Sequence, residues 1–360
     1  CRSTGNSREA LRARPRPRAG PDAKVGRCPG RLRQSLITPC RIPPRRPLDC
    51  AAASHESIPL SELSPSLDPS GASSKWRAAL EIMRFDKPIG TFLLAAPTLW
   101  GIALANEAFP SLRLLAIFSA GIVVMRAAGC IANDLADRNL DGQVERTRLR
   151  PLVTGALTVK EALALLLLLL ATALGLVALT NPLTIKLSFA GAGLAMIYPL
   201  MKRITHLPQI ILGTAFSWSI PMAFAASINA LPSALWWLFV ANLLWTVIYD
   251  TQYAMVDRED DLSAGIKSTA ILFGNLDVRI IGLLQCLCLI AFWRCGVAFA
   301  LGPIYYTAVA AVGVLFARHL WLIRYRDIEQ CFKAFNQSKW IGLIILMGLC
   351  GHFWIGVSSG

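Results

Sequence analysis

The stretch GIVVMRAAGCIANDLADRNLD, residues 121–141, runs from an apolar segment straight into an amide and three carboxylates. Asp134, Asp137 and Asp141 are spaced i, i+3 and i+7, so on a helix they share one face. Like charges on one face repel each other unless positive charge lies among them. The stretch therefore predicts that an apolar helix ends at a place where positive charge gathers.

The composition of the whole chain is that of a membrane protein. Of its 360 residues, 54% are hydrophobic and only 16% are charged. The run ALALLLLLLATALGLVAL (162–179) carries no charge over about the thickness of a bilayer. A large soluble core would interleave its apolar runs with frequent charges. We therefore expect an all-helical protein that crosses a lipid bilayer several times.

The positive charge is concentrated in the N-terminal tail. Residues 1–50 carry twelve Arg and one Lys against three acids, which is +10 of the total net charge of +14. Such a segment, rich in Pro, Gly, Ser and Arg, predicts disorder over residues 1–75, ahead of a membrane domain over 76–360. It resembles an organelle transit peptide, although a start at Cys1 also fits a fragment or an unreliable start. Nothing aromatic or structured accompanies the charge, so we expect no nucleic-acid partner.

Hydropathy predicts about nine membrane-spanning helices after residue 85. Their approximate bounds are 88–106, 112–132, 159–180, 183–200, 208–228, 232–250, 279–300, 302–322 and 339–357. The loops after the even-numbered spans hold fourteen basic residues, against two in the loops on the other face. The positive-inside rule then puts the N-terminus and these loops on the cytoplasmic side, or on the matrix side in a mitochondrion.

A second acidic cluster follows the sixth predicted span in YDTQYAMVDREDD, residues 249–261. Asp250, Asp257 and Asp261 again fall on one helical face, which Tyr253 shares. Both clusters follow even-numbered spans, so both open on the same membrane face. The chain is thus predicted to form two four-helix halves, each with an acidic cluster after its second helix, followed by a ninth helix.

Carboxylates that converge beside basic residues at a membrane surface have a natural ligand. Mg²⁺ prefers one or two carboxylates per ion, with its other positions filled by phosphate oxygens and water. Basic side chains on the same side would neutralise the remaining phosphate oxygens. The pattern predicts a magnesium–diphosphate site for a lipid-tailed substrate. The alternative is that both clusters are solvated helix ends among lipid headgroups.

Four stretches carry a resemblance to a known family. NDLADRNLDGQVERTRLRPLVTG (133–155) and YDTQYAMVDREDDLSAGIKSTAILFG (249–274) resemble the signature regions of the UbiA superfamily of intramembrane prenyltransferases. MRFDKPIGTFLLAAPTLW (83–100) and YPLMKRITHLPQIILGTAFSWSIPMAFAA (198–226) narrow the resemblance to the 4-hydroxybenzoate polyprenyltransferases of ubiquinone biosynthesis. It covers about residues 76–357 and implies nine membrane helices around a central cavity.

The resemblance also implies roles for individual residues. The metal ligands would be Asn133, Asp134, Asp137, Asp141, Asp257 and Asp261. Lys202, Arg146, Arg150 and Lys267 would bind diphosphate, and Arg203 would contact diphosphate or the aromatic carboxylate. Tyr249 and Tyr253 are candidates to face an allylic cation, which aromatic rings stabilise.

The reaction that the resemblance implies is Mg²⁺-dependent transfer of a polyprenyl group from polyprenyl diphosphate to 4-hydroxybenzoate, at the ring carbon ortho to the hydroxyl. The enzyme would lie in a bacterial or mitochondrial inner membrane. One alternative is a prenyltransferase of the same superfamily that acts on homogentisate or a dihydroxynaphthoate. Another is a cation transporter, which would place its acids deep within the spans rather than at their ends.

Overall fold

The computed structural model describes residues 71–107, 110–139 and 147–358, and within these ranges every regular element is helical. The helices are α1 (Gly71–Ile82), α2 (Ile89–Asn106), α3 (Leu112–Asp137), α4 (Pro151–Thr154), α5 (Val159–Ala178), α6 (Pro182–Ile204), α7 (Pro208–Ser217), α8 (Ser219–Ile228), α9 (Leu235–Val256), α10 (Arg258–Ser263), α11 (Thr269–Phe273), α12 (Asp277–Ala298), α13 (Pro303–Ile323) and α14 (Ile328–Ser358). Helix α1 begins within the segment predicted as tail, and the rest of that tail lies outside the described ranges.

Local sequence signals explain where the long helices begin. The Ser111 hydroxyl accepts from the amide of Leu114 and caps α3, and the Asn181 side chain caps α6 in the same way. At the start of α5, Thr158 and Glu161 form a reciprocal capping box. These caps satisfy amides that the helices leave without partners at their first turns. All three elements therefore start where the hydropathy pattern places a span.

The long helices pack into a closed ring. Each helix contacts the next one in the order α2, α3, α5, α6, α7, α9, α12, α13 and α14. Helix α14 in turn contacts α2. The predicted ninth helix is therefore the element that closes the ring. The loops after α3, α6, α9 and α13 lie at one end of the bundle, as the sequence predicts for the loops after even-numbered spans.

Within the described residues, seven helices are long and apolar enough to cross a membrane. The predicted count of nine spans is not confirmed. Helices α9 and α14 occupy the positions of the sixth and ninth predicted spans but fall outside the seven. Helix α9 carries polar side chains along its length, Asn242, Asp250 and Gln252 for example, which lower its mean hydropathy.

Two predicted helical runs are interrupted. The fifth predicted span is divided at Trp218 into α7 and α8, because Pro221 lacks the amide hydrogen that would bond the preceding turn. Helix α9 ends at Val256 and α10 begins at Arg258, so the single helical face expected for Asp250, Asp257 and Asp261 is broken at Asp257. The packing at the site, rather than helical periodicity alone, has to bring these acids together.

Close packing around buried aromatic rings joins α2, α9, α12 and α14. Trp100 and Trp245 are fully buried with ring centroids 5.3 Å apart, and Phe292 meets Trp100 edge-on at 5.6 Å. The Trp100 indole donates to the carbonyl of Gly342 at 3.0 Å. A Cβ at Gly342 would lie 2.8 Å from that of Ala96, so only glycine permits this approach.

Candidate active site

A cavity of about 1210 Å³ lies inside the ring. Residues of α2, α3, α5, α6, α7, α8, α9, α10 and α14 line it. Its polar end is formed where α3, α6 and α9 finish, and apolar side chains line the remainder. The apolar lining includes Leu93, Ile117, Phe118, Ile122, Leu170, Leu174, Leu212 and Met222. The cavity therefore combines a charged mouth with an elongated apolar interior, which suits a substrate with a charged head and a lipid tail.

The first acidic motif forms the last turn of α3. Asn133 and Asp137 line the cavity. Asp137 is buried and accepts a hydrogen bond from Lys202 of α6, and its second oxygen lies 3.9 Å from Nη2 of Arg203. That second oxygen, Oδ1, has no hydrogen-bond partner although it is buried. Asp137 is thus an incompletely satisfied carboxylate at the wall of the cavity.

Asp134, one turn earlier on α3, has a different environment. It is buried and does not contribute to the cavity lining. The guanidinium of Arg84, from the turn between α1 and α2, donates to its Oδ1 at 2.5 Å, and Nη1 of Arg150 lies 3.2 Å from the same oxygen. Asp134 therefore links α3 to the turn that precedes α2 and to the residue that precedes α4. Asp141, the outer acid of the motif, lies outside the described residues.

The second acidic motif also lies at the polar end of the cavity. Asp250 in α9, Asp257 at the junction and Asp260 and Asp261 in α10 all line the cavity. The amide of Asp261 donates to the carbonyl of Asp257 at 2.8 Å, which fixes the turn between the two helices. The acids predicted from the two motifs are therefore brought to one cavity despite the helix break.

Three of the predicted basic residues line the same end of the cavity: Arg150, Lys202 and Lys267. The backbone amide of Lys267 donates to the carbonyl of Lys202 at 2.9 Å, and its ammonium donates to the carbonyl of Ile204 at 3.1 Å. These bonds join the chain after α10 to the end of α6. Arg203 is about half exposed and bonds the carbonyl of Ala136 instead of lining the cavity. Arg146 lies outside the described residues.

Aromatic side chains cover one wall near the acids. Tyr249 and Tyr253 of α9 line the cavity together with Phe332 and Phe335 of α14. The rings of Tyr253 and Phe335 are 4.8 Å apart, and those of Tyr249 and Phe335 are 6.2 Å apart. This wall presents π faces beside the charged end, where a cationic carbon would be stabilised. Helix α14 supplies half of it, which the spacing of the tyrosines alone did not indicate.

Sequence reasoning assigned no role to three further residues of the site, although it marked Arg126 as an intramembrane charge, which is either a functional hint or half of a helix-packing pair. Arg84 was not singled out, although a basic residue before DKPIG (86–90) was the available signal. Arg126, an intramembrane charge, lines the cavity, donates to the sulfur of Cys130 at 2.5 Å and keeps a buried Nε without a hydrogen bond. Tyr198 of α6 lines the cavity as well. The contact of Arg84 with Asp134 depends on packing between separate parts of the chain.

The donor chemistry of the polar end fits a magnesium ion. Asn133, Asp137, Asp257 and Asp261 present only hard oxygen ligands, and Asp137 Oδ1 is an orphaned buried acceptor. Within the described ranges, no three His, Cys, Asp or Glu side chains lie close enough together to hold a metal. A magnesium ion bound to a diphosphate does not need such a cluster, because one or two carboxylates per ion suffice when phosphate oxygens complete the coordination.

These features define a membrane-embedded helical ring with a charged and apolar cavity, and the sequence places it in a family. The UbiA prenyltransferase family matches residues 94–344, so the chain belongs to that family. A 4-hydroxybenzoate octaprenyltransferase of Vibrio vulnificus (strain CMCP6) is 53% identical over 280 residues, which are 78% of this chain and 99% of the relative. The 4-hydroxybenzoate octaprenyltransferase of Saccharophagus degradans is 53% identical over 272 residues, 76% of this chain and 91% of that one.

Solved structures share the architecture. A UbiA homolog from Aeropyrum pernix K1 has a TM-score of 0.64 and 24% identity, over 75% of this chain and 98% of that chain. A UbiA homolog from Archaeoglobus fulgidus, bound to GPP and Mg²⁺, has a TM-score of 0.61 and 17% identity, over 76% and 99% of the two chains. At such identities the likeness shows a common fold. The expected all-helical UbiA fold is thereby confirmed.

Proposed function

We propose that this protein is a prenyltransferase of 4-hydroxybenzoate. It joins a polyprenyl group from polyprenyl diphosphate to the ring carbon ortho to the hydroxyl, as an early membrane step of ubiquinone biosynthesis. The observation that carries the proposal is the single cavity with acids and bases at one end and apolar side chains along the rest. The names of the Vibrio and Saccharophagus relatives support 4-hydroxybenzoate as the acceptor.

Asn133, Asp137, Asp257 and Asp261 would hold Mg²⁺, with Asp134 and Asp141 supporting the first motif. When bound, the metal supplies positive charge that stabilises the departing diphosphate. Lys202, Lys267 and Arg150 reach the same end of the cavity and would neutralise diphosphate oxygens. We propose the same role for Arg146 and Arg203. Together these groups favour ionisation of the allylic C–O bond.

The rest of the cavity protects the reacting carbon. Its apolar side chains bind the prenyl chain and keep out water, which would otherwise quench an allylic cation. Tyr249 and Tyr253 line the wall beside the acids, where their rings can face that cation. The ring carbon ortho to the phenol hydroxyl then attacks, and the proton on that carbon leaves to restore aromaticity.

The enzyme is an integral membrane protein, and we place it in a bacterial or mitochondrial inner membrane. Its acidic motifs would open on the cytoplasmic or matrix side, because the four basic loops lie at the same end of the bundle as the motifs. The donor and the acceptor would therefore meet at that side of the bilayer.

Prenyl transfer to radiolabelled 4-hydroxybenzoate in detergent-solubilised protein tests the proposal. Product should require Mg²⁺, be lost in EDTA, and fall at least about a hundredfold in Asp137→Asn and Asp257→Asn, as is typical when a group acting at the transition state is removed. Asp327→Asn is the matched control, since Asp327 is an exposed acid at the same end of the bundle and does not line the cavity.

Competition with homogentisate and a dihydroxynaphthoate checks the acceptor. Transfer to one of these in preference to 4-hydroxybenzoate would retain the site and refute the acceptor. Uptake of divalent ions into proteoliposomes without prenyl diphosphate, in folded protein that transfers nothing, would favour a cation transporter instead.

A further inference from the structure

A buried ion-pair network lies behind the second acidic motif, outside the cavity. Its centre is Asp277, the first residue of α12, which is fully buried. The carboxylate accepts from the guanidinium of Arg258, and from Nε and Nη2 of Arg326 at 3.0 Å and 2.8 Å. The amide of Val278 donates to it at 2.7 Å. One carboxylate thus binds two arginines from different parts of the chain.

One of these arginines belongs to the acidic motif itself. Arg258 directly follows Asp257 and is the first residue of α10. It does not line the cavity, whereas Asp257, Asp260 and Asp261 do. Its Nη2 also donates to the carbonyl of Ala270 at 2.8 Å, so the guanidinium is held from two sides. Arg258 therefore fixes α10 from behind while the acids of α10 face the cavity.

Helix α10 needs such a fixed point because packing does not supply one. It has six residues, none of them buried. A helix this short is marginal without tertiary contacts. Its neighbour α11 is anchored by buried contacts, with the Thr251 and Thr269 hydroxyls 2.7 Å apart. The side-chain contacts of Arg258 with Asp277 and Ala270 therefore provide an anchor that the surface of α10 does not.

The other arginine holds Asp277 in place. Arg326, in the loop between α13 and α14, donates to the carbonyl of Asn275 at 2.8 Å as well as to Asp277. Its backbone has a φ of 60°, a left-handed conformation that is uncommon for residues other than glycine. Arg326 thus ties the network to α14 but makes no contact with the acidic motif.

We propose that Asp277 is a positioning residue for the second acidic motif. It acts through Arg258 to hold α10 so that Asp257, Asp260 and Asp261 face the cavity. Removing one arginine would leave the buried charge of the Asp277 carboxylate partly uncompensated, which is costly in a medium of low dielectric. The groups of the network are therefore strongly coupled. The effect on metal dependence rests on the proposed function, whereas the effect on the order of α10 does not.

Hydrogen–deuterium exchange of the metal-free protein in detergent tests the proposal directly. We expect Asp277→Asn and Arg258→Gln each to speed exchange in residues 257–268 by at least about tenfold, the effect of losing roughly 1.4 kcal/mol of local stability. Arg326→Gln is the matched control, because it removes the other partner of Asp277. Its faster exchange should be largest in the loop at 323–328, and its effect on 257–268 should be smaller than that of Arg258→Gln. Should Asp277→Asn fail to fold, Arg258→Gln carries the test.

A second measurement separates positioning from catalysis. In both variants the Mg²⁺ concentration for half-maximal transfer should rise severalfold, with most of the rate recovered at saturating Mg²⁺. Unchanged exchange in 257–268 together with a lower unfolding temperature would overturn the proposal, and so would an equal effect of Arg326→Gln on that segment. If the parent protein transfers no prenyl group and the variants still exchange faster in 257–268, the proposed function is refuted and Asp277 remains a positioning residue.

Discussion

Gly90 and Arg126 make a contact whose disruption can be predicted in magnitude. Gly90, at the start of α2, and Arg126, in α3, both line the cavity. A Cβ built on Gly90 would lie 2.5 Å from Cζ of Arg126. An ordinary contact is about 3.5 Å, so the guanidinium in Gly90→Ala must move by about 1 Å. Because Arg126 lines the cavity that we propose as the active site, and a misplacement of about 1 Å there costs up to about a hundredfold in rate, we expect kcat/KM to fall about 10–100-fold.

The assay compares prenyl transfer by Gly90→Ala with that by Gly175→Ala. Gly175 is a helical glycine of α5 with nothing within 4 Å of an added Cβ, and it does not line the cavity. Its replacement reports the ordinary effect of a methyl group on a helix, which is neutral or mildly stabilising by about 0.5–1 kcal/mol. Both variants should unfold within a few degrees of the parent protein, because the Arg126 side chain can move.

A double-mutant cycle assigns the loss to Arg126. In an Arg126→Ala background, Gly90→Ala should have almost no further effect on transfer, since the group that it displaces is gone. Full activity of Gly90→Ala, or an unchanged penalty in the Arg126→Ala background, would refute the reasoning that Gly90 exists to admit this guanidinium.

Three further perturbations test the packing and the charge network, with thermal unfolding in detergent as the measurement. Asp134→Asn should lower the free energy of unfolding by roughly 1–3 kcal/mol, which is modest for a broken buried ion pair because the arginine partners are partly exposed. A variant as stable as the parent would contradict this. Gly342→Ala should cost about 1–3 kcal/mol by overpacking against Ala96, and an unchanged midpoint would show that α14 can shift. Arg326 donates hydrogen bonds to the carboxylate of Asp277, and these raise the pKa of Arg326 above its usual range, so Arg326 stays charged throughout the neutral range and its contribution is lost as the pH rises through that raised pKa. Arg326→Gln should therefore lower the midpoint equally at about pH 6 and about pH 9, and a pH-dependent difference would be inconsistent with a permanently charged pair.

Much of the fold follows from the sequence, because apolar runs of bilayer length are unambiguous. The predicted spans coincide with α2, α3, α5, α6, α9, α12, α13 and α14 to within a few residues at most of their ends, and with the pair α7 and α8. Helix α14 is the exception at its start, which lies eleven residues before the predicted span at 339. Its first turns carry charges that hydropathy assigns to a loop, yet Phe332 and Phe335 in those turns line the cavity.

The meeting of the two acidic clusters was also predictable, whereas their partners were not. Charge pattern and sidedness place Asp137 and Asp257 at one end of the bundle, and both line the cavity. The pairing of Asp134 with Arg84 depends on how the turn before α2 folds over α3, which no periodicity encodes. Likewise, the position of Arg258 depends on Asp277, nineteen residues later and in another helix.

The two acids of the first motif show why spacing alone does not assign roles. Residues three apart on a helix differ by roughly 60° in direction, so they share a face only approximately. In α3 that angle is enough to place Asp137 on the cavity wall and Asp134 off it, where Arg84 and Arg150 bind the Asp134 carboxylate. The second motif repeats the arrangement with Asp257 in front and Arg258 held by Asp277 behind. In each half, a carboxylate that does not line the cavity binds arginines next to the motif, and such pairs keep groups that repel one another in place before any ligand binds.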